Sequence, residues 1–307
     1  MKIAIIGPGA LGLFFTALLQ QAGHEVWLLD YRHDRAASLR QHGLSFETLA
    51  GESHQYPLQV ALASEEIGPC NLTLLLVKAH QTKVAARHLP ALLQGGGVAL
   101  TLQNGIGNLE DMAAVAGPQR LLAGVTMVGV TKLAEGKIRH AGAGPVILGI
   151  PPQSTVSPGE LATLCQLFRM AGLECRTEED IVTVLWRKLL INVGINPVTA
   201  LTRLPNGRLP EIPGAWEVVA AAVQEAHRVG LASGLSLPAE PLTLVRQVCQ
   251  ATSGNRSSML QDILNHRPTE IDALNGQIVA HGQRLGLPTP VNALLTNLIK
   301  ALENRQF

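Results

Sequence analysis

The chain has 307 residues, a net charge of +1, 47% hydrophobic and 3% aromatic residues. Those values exclude a disordered chain and leave no basic footprint for nucleic acid or an anionic membrane. A length beyond one usual core, with domains of roughly 100–200 residues, predicts two domains. The expected partners are a small molecule and a second copy of the chain, as a homodimer. The four Cys form no C-x-x-C, and neither they nor the ten His show metal-ligand spacing. Free thiols in a reducing cytoplasm and no metal site are therefore expected. With no leader pattern and no uninterrupted apolar run of about 18 residues, a soluble, unexported cytoplasmic protein is expected.

Lys2 to Ile6 reads as a strand and ends at Gly7-Pro8-Gly9-Ala10-Leu11-Gly12, a G-x-G-x-x-G hexapeptide. Leu11 to Gln21 then reads as a helix closed by Gly23, and Val26 to Leu29 as a second strand ending at Asp30. In that context the loop predicts a dinucleotide site. Gly7 makes the turn, Gly9 admits the pyrophosphate, Gly12 lets helix and strand pack, and the helix N-terminus supplies N–H donors.

His33 to His42 reads as a short helix, and Leu44 to Val60 as a hairpin excursion. Leu72 to Val77 and Val98 to Leu102 are strands, with helices over Gln81 to Leu93 and Asn108 to Val115. The alternation predicts a mostly parallel sheet covered by helices on both faces. Lys78 and Asn104 stand just past two of its strands, where ligands of open α/β sheets sit. Taken singly, Lys78 is as readily a surface residue, and Asn104-Gly105 simply a turn. Leu121 to Val130 and Lys137 to Ile150 read as strands joined by Ala134-Glu135-Gly136 and added antiparallel to the sheet. A helix over Glu160 to Met170 and a strand over Leu173 to Arg176 complete an α/β N-terminal domain, residues 1–179.

Residues 180–307 show no strand pattern and predict an all-α domain. Its helices are expected over Ile181 to Ile195, Ala215 to Ala232, Pro241 to Ala251, Ser257 to Asn265, Thr269 to Leu285 and Asn292 to Glu303. The first carries Lys188, Asn192 and Asn196 at intervals of four, on one face, among apolar residues. Lys188 either snorkels to the surface while the Asn residues cap loops or a break at Pro197, or it is a desolvated ammonium suited to proton transfer. A second polar patch runs from Ser253 to Asp262 and on to Thr269-Glu270-Ile271-Asp272. Ser257 is a plausible N-cap there, which leaves Ser258 unexplained. Thr269 could likewise cap the next helix and leave Glu270 at its positive end.

These residues together resemble the ketopantoate reductase (2-dehydropantoate 2-reductase) family over nearly the whole chain. The shared features are GPGALG, VKA at Val77 to Ala79, QNG at Gln103 to Gly105, and the W-x-K-x-x-x-N-x-x-x-N-P run from Trp186 to Pro197. PNG at Pro205 to Gly207 and SSMLQD followed by TEID complete the set. The resemblance implies an NADPH-dependent reduction of ketopantoate to pantoate, in pantothenate synthesis, in a cleft between a Rossmann domain and a helical domain. It implies Lys188 as general acid and Glu270 as the residue that binds substrate and supports it. Asn192, Asn196 and Asn206 correspond to substrate hydrogen-bonders, Ser258 to the carboxylate binder, and Lys78 and Asn104 to residues at the nicotinamide end.

One departure bears on the cofactor. The family commonly has a basic residue just past the second strand for the 2'-phosphate of NADP, whereas this chain reads Leu29-Asp30-Tyr31-Arg32. An Asp at that strand end is the mark of NAD. With Arg32 or Arg35 able to clamp a phosphate, the expectation is NADP with NAD open. Two alternatives remain: a paralogous reductase of another 2-keto acid, and an NAD(P)H-sensing protein without turnover. The set Lys188, three Asn, Ser258 and Glu270 argues against the sensor, which needs none of them.

Overall fold

The computed structural model describes residues 1–304. The chain divides into two compact units, one of residues 1–103 and 108–181, the other of Asn104–Gly107 and the chain from Val182 on.

The first unit is built on an eight-stranded sheet. Strands β1 (Lys2–Ile6), β2 (Glu25–Leu29), β3 (Leu44–Glu47), β4 (Ser53–Tyr56), β5 (Gln59–Ala61), β6 (Leu72–Leu75), β7 (Val98–Thr101) and β8 (Leu121–Thr126) are separated by helices except from β3 to β5, which follow one another directly. The helices are α1 (Ala10–Gln21), α2 (His33–His42), the single turns α3 (Ser64–Ile67), α4 (Thr82–Ala85) and α5 (Leu89–Leu92), and α6 (Asn108–Ala116). After them come β9 (Gly129–Ala134), β10 (Lys137–Gly142), β11 (Val146–Gly149), α7 (Pro158–Met170) and β12 (Cys175–Thr177). The sheet order is β12-β11-β8-β7-β6-β1-β2-β5, and from β5 through β8 all pairs are parallel. The strand order reverses beside β1, so the crevice between β1 and β6 is the place where such a sheet takes its ligand. Strands β6, β7 and β8 are buried throughout, which is why they read as continuous apolar runs rather than alternating ones.

The stretch after β7 differs from the expected two-stranded antiparallel addition. Strand β8 lies parallel to β7, and only β11 is antiparallel to β8. The β9–β10 hairpin leaves this sheet and pairs through β10 with β3, making a second sheet of order β4-β3-β10-β9. The half-exposed residues of β9 and β10 could not fill the doubly covered sheet that β8 and β11 enter. Helix α1 is wrapped by apolar side chains, with Phe14 packing its ring against Phe15, Phe46 of β3 and His140 of β10. The helix expected over Gln81 to Leu93 is broken into short turns, and Pro90 supplies one reason, having no N–H to bond back along it.

The second unit is helical: α8 (Ile181–Thr202), α9 (Pro213–Ala232), α10 (Pro241–Ala251), α11 (Ser258–Leu264), α12 (Asn275–Leu285) and α13 (Pro290–Asn304). Helix α8 lies at its centre. By length and composition it could cross a membrane, but 61% of its most apolar window is buried within the protein, as in a core helix. Its Gly194 lets α9 approach, since a Cβ there would stand 2.8 Å from Val223 Cγ2 and 3.0 Å from Val219 Cγ1. Two expected boundaries move. Helix α8 continues past Ile195 and through Pro197 to Thr202. The helix expected from Thr269 begins instead with a tight 3-10 turn, Ile271–Ala273, before α12.

Candidate active site

The loop Gly7-Pro8-Gly9-Ala10-Leu11-Gly12 joins β1 to α1 at the reversal of strand order. Its glycines are needed for different reasons. A Cβ on Gly12 would lie 2.0 Å from the Gly7 carbonyl, and one on Gly7 would lie 2.8 Å from the Val77 backbone nitrogen. A Cβ on Gly9 would meet nothing within 4 Å, and Gly9 has ordinary extended backbone. The protein therefore leaves space above Gly9 that it does not fill. No side chain caps α1 and its first turn holds no acidic residue, so its N–H groups and dipole suit an anion. This fits a dinucleotide pyrophosphate.

At the end of β2 the sequence left two readings of Asp30. The carboxylate is buried, 1% exposed, and Arg35 grips it with two donors, Nε to Oδ2 and Nη2 to Oδ1, each at 2.5 Å. The Arg32 backbone N–H adds a third bond at 3.1 Å. Asp30 is thus neutralised by a guanidinium from the first turns of α2, and that bond in turn raises the Arg35 pKa above its ordinary value. Arg32 is about half exposed, with its guanidinium against the Asp34 carboxylate.

Lys78 follows β6 and is half-buried. Its position is fixed from below by Gln103, whose Nε2 donates to the Val77 carbonyl at 2.7 Å and to Thr82 Oγ1 at 2.8 Å. Thr101 Oγ1 donates to Gln103 Oε1, and Thr82 Oγ1 to Asn108 Oδ1. The structural role of Gln103 was not read from the sequence, although it stands inside the QNG motif. The signal was available: an amide at the end of a buried strand must find partners.

Asn104 itself falls in the second unit. Gly105, at φ +83°, lets the loop press on the turn after Glu270, for a Cβ there would lie 2.3 Å from the Ala273 carbonyl. Ile106 N–H bonds that carbonyl at 3.1 Å, and Asn104 Nδ2 donates to Glu270 Oε2 at 3.2 Å. Glu270 is 8% exposed. Its charge acts on Lys188, which is held half-buried on α8. Desolvation lowers the Lys188 pKa from 10.5 to about 8, and Glu270 opposes that fall. The snorkelling reading of Lys188 gives way to this pairing. Thr269 Oγ1 accepts the Ile271 N–H at 3.2 Å, so Thr269 caps the 3-10 turn and Glu270 stands at its start, as the helix-end reading expects, while the Glu270 charge also acts on Lys188.

Asn192 and Asn196 continue the row along α8, half-buried and 7% exposed respectively. Asn206 is buried, and its Nδ2 donates to Thr252 Oγ1 at 2.9 Å. Its backbone N–H bonds the Asn255 carbonyl, so the PNG turn is pinned to the Ser253–Asn255 loop. Asn206 Oδ1 is buried without a partner among the described residues. Ser257 caps α11, accepting the Leu260 N–H at 3.1 Å and the Thr199 hydroxyl at 2.7 Å. Ser258, the first residue of α11, is exposed. The structure thus brings Lys188, Glu270 and Asn104 together, and ties the part of α8 that follows Asn196 to the cap beside Ser258.

Two family models cover most of the chain: "Ketopantoate reductase PanE/ApbA" over residues 3–153 and its C-terminal model over residues 180–303. A 2-dehydropantoate 2-reductase of Archaeoglobus fulgidus is 34% identical over 303 residues, spanning 99% of this chain and 98% of its own. Among solved structures, a ketopantoate reductase of Ralstonia eutropha has a TM-score of 0.90 at 31% identity, covering 100% of this chain and 99% of its own. A D-mandelate dehydrogenase solved with NADH and anilino(oxo)acetate has a TM-score of 0.92 at 29% identity, with the same coverage.

Proposed function

Because this chain belongs to the ketopantoate reductase family, we propose that it is a 2-dehydropantoate 2-reductase, reducing ketopantoate to pantoate with NADPH in the cytoplasm. The observation that carries this reading is the cluster of half-buried Lys188 on α8, the nearly buried Glu270 whose charge acts on it, and Asn104, which donates to Glu270 Oε2 at 3.2 Å; burial pushes the Lys188 pKa down to about 8. A dinucleotide, when bound, would supply a hydride. As the keto carbon accepts it, charge builds on the keto oxygen, and Lys188 stabilises that charge and then donates its proton. Glu270 keeps Lys188 charged, and Asn104 holds the Glu270 carboxylate in place. Asn192 and Asn196 offer carboxamides to the substrate, and Ser258 a hydroxyl to its carboxylate.

In the first unit, Gly7 to Gly12 would hold the pyrophosphate, with Gly9 leaving the space, and Lys78 would serve the nicotinamide end. Preference for NADPH rests on the pairing of Asp30 with Arg35, which removes the acceptor that a free ribose hydroxyl needs. Arg32 is then the candidate clamp for the 2'-phosphate, exchanging Asp34 for it. The homodimer is the assembly to check by light scattering.

A second reading, a reductase of another 2-keto acid, is favoured by the likeness to D-mandelate dehydrogenase. Loss of nicotinamide absorbance with a panel of keto acids tests both. Ketopantoate should have the highest kcat/KM, and a higher value for an aryl keto acid would reverse the assignment.

A further inference from the structure

Pro197 stands inside α8 and has no N–H, so the Val193 carbonyl four residues before it lacks its helical donor. Asn275, the first residue of α12, supplies one: its Nδ2 donates to Val193 O at 3.0 Å. The same nitrogen donates to Asn292 Oδ1 at 2.9 Å. Asn292 Nδ2 in turn donates to Glu225 Oε2 at 2.8 Å and to the Ala222 carbonyl at 3.0 Å. Glu225 completes the chain by accepting the backbone N–H groups of Val291 and Asn292, both at 2.9 Å, at the start of α13. Asn275 and Asn292 are fully buried and Glu225 is 4% exposed.

This network joins α9, α12 and α13 to one interrupted rung of α8. Proline is the least favoured residue in a helix interior, and an apolar core would be simpler than three buried polar side chains. Asn275 also leaves its Oδ1 buried without a partner among the described residues, so its donor end is what the position uses. The interrupted rung spans Val193 to Pro197 and contains Asn196. Lys188 and Asn192 precede it. Thr199, whose hydroxyl bonds Ser257, follows it.

We propose that Asn275 is a positioning residue for the reductase reaction: it stands in for the missing N–H of Pro197 and, with Asn292 and Glu225, fixes the break at which α8 presents Asn196 to the keto acid. This rests on the reductase reading above. A role in stability alone predicts that repairing the helix is harmless. A positioning role predicts that repair harms substrate binding while the fold is unchanged or firmer.

The test uses full-length protein with NADPH and ketopantoate, comparing wild type, Pro197→Ala, Asn275→Leu and the double variant. Pro197→Ala restores a backbone donor for Val193 O. It should keep or raise Tm, raise KM for ketopantoate about 10-fold, and leave the Kd for NADPH unchanged. Asn275→Leu should lower Tm and raise KM, and its loss of Tm should be clearly smaller in the Pro197→Ala background. Wild-type KM and kcat in Pro197→Ala would overturn the proposal, as would an equal Tm loss from Asn275→Leu in both backgrounds. If Asn275→Leu does not fold, the kinetics of Pro197→Ala decide alone. A wild-type protein that turns over no keto acid sinks the reductase reading instead, and the Tm comparison then still reports whether Asn275 serves Pro197.

Discussion

The glycine loop after β1 and the Lys188 row of α8 are both polar features among apolar residues, but they are made in opposite ways. On the proposed reading the loop would work through backbone: its N–H groups, the helix dipole and the side chain missing at Gly9. The row on α8 works through side chains, and these depend on residues far away in sequence, Asn104 and Glu270 for Lys188 and Asn275 for the rung at Asn196. A backbone site is complete within one turn, whereas a side-chain site on a core helix is only as good as the neighbours that hold it.

The largest expected effect is on the side-chain site. Lys188→Ala should lower kcat by about 10² to 10⁴ and leave NADPH binding nearly intact. Unchanged turnover would remove Lys188 from the chemistry. At the backbone site, Gly9→Val should fold normally, because the protein leaves that space open, yet weaken NADPH by roughly 100-fold. Native affinity in that variant, measured by fluorescence titration, would make the loop a turn and nothing more. Gly12→Val should fail to fold, since its Cβ meets the Gly7 carbonyl.

Cofactor choice comes next in size and lies between the two types, a backbone site edged by an ion pair. Arg32→Ala should lower kcat/KM for NADPH about 10-fold, equivalent to about 1.4 kcal/mol, and spare NADH. Arg35→Ala should uncover the Asp30 carboxylate and shift the ratio towards NADH, through repulsion of the 2'-phosphate. A wild-type preference for NADH with Arg32→Ala silent would reverse the NADPH assignment.

The smallest effect is on stability. The Lys188 pKa lies below its ordinary value, so folding disfavours the ammonium. That penalty is fully present below about pH 8 and fades as pH rises from there to 10.5. Lys188→Met removes that penalty but leaves the buried Glu270 carboxylate without its cation, so the Tm of the variant relative to wild type should fall as pH rises from about 8 to 10.5. A relative Tm that does not change over that pH range would mean that the ammonium is well solvated.

How far the sequence could be read follows the same division. The loop, the parallel strands and the all-α second half follow from local spacing and periodicity, and the row Lys188, Asn192, Asn196 from helical geometry. The pairing of Asp30 with Arg35 was within reach, but the Asp at a strand end and the two arginines carry opposite meanings until a distance decides between them. The β9–β10 hairpin went to another sheet because pairing partners are a tertiary choice. Asn275, Asn292 and Glu225 left no local pattern. Pro197 within a helical run did pose the question of which group would serve the Val193 carbonyl, and only the packed structure answers it.

The central claim is that Lys188 donates the proton and Glu270 holds its charge. The pH dependence of kcat/KM for ketopantoate, in wild type and in Glu270→Gln, tests it most directly. The wild-type profile should be flat below about pH 8 and fall about tenfold per unit above it, as the ammonium is lost. In Glu270→Gln the break should move to lower pH, because the group that raises the Lys188 pKa is gone. A wild-type profile that stays flat beyond pH 9, or a break that does not move in Glu270→Gln, would contradict the account.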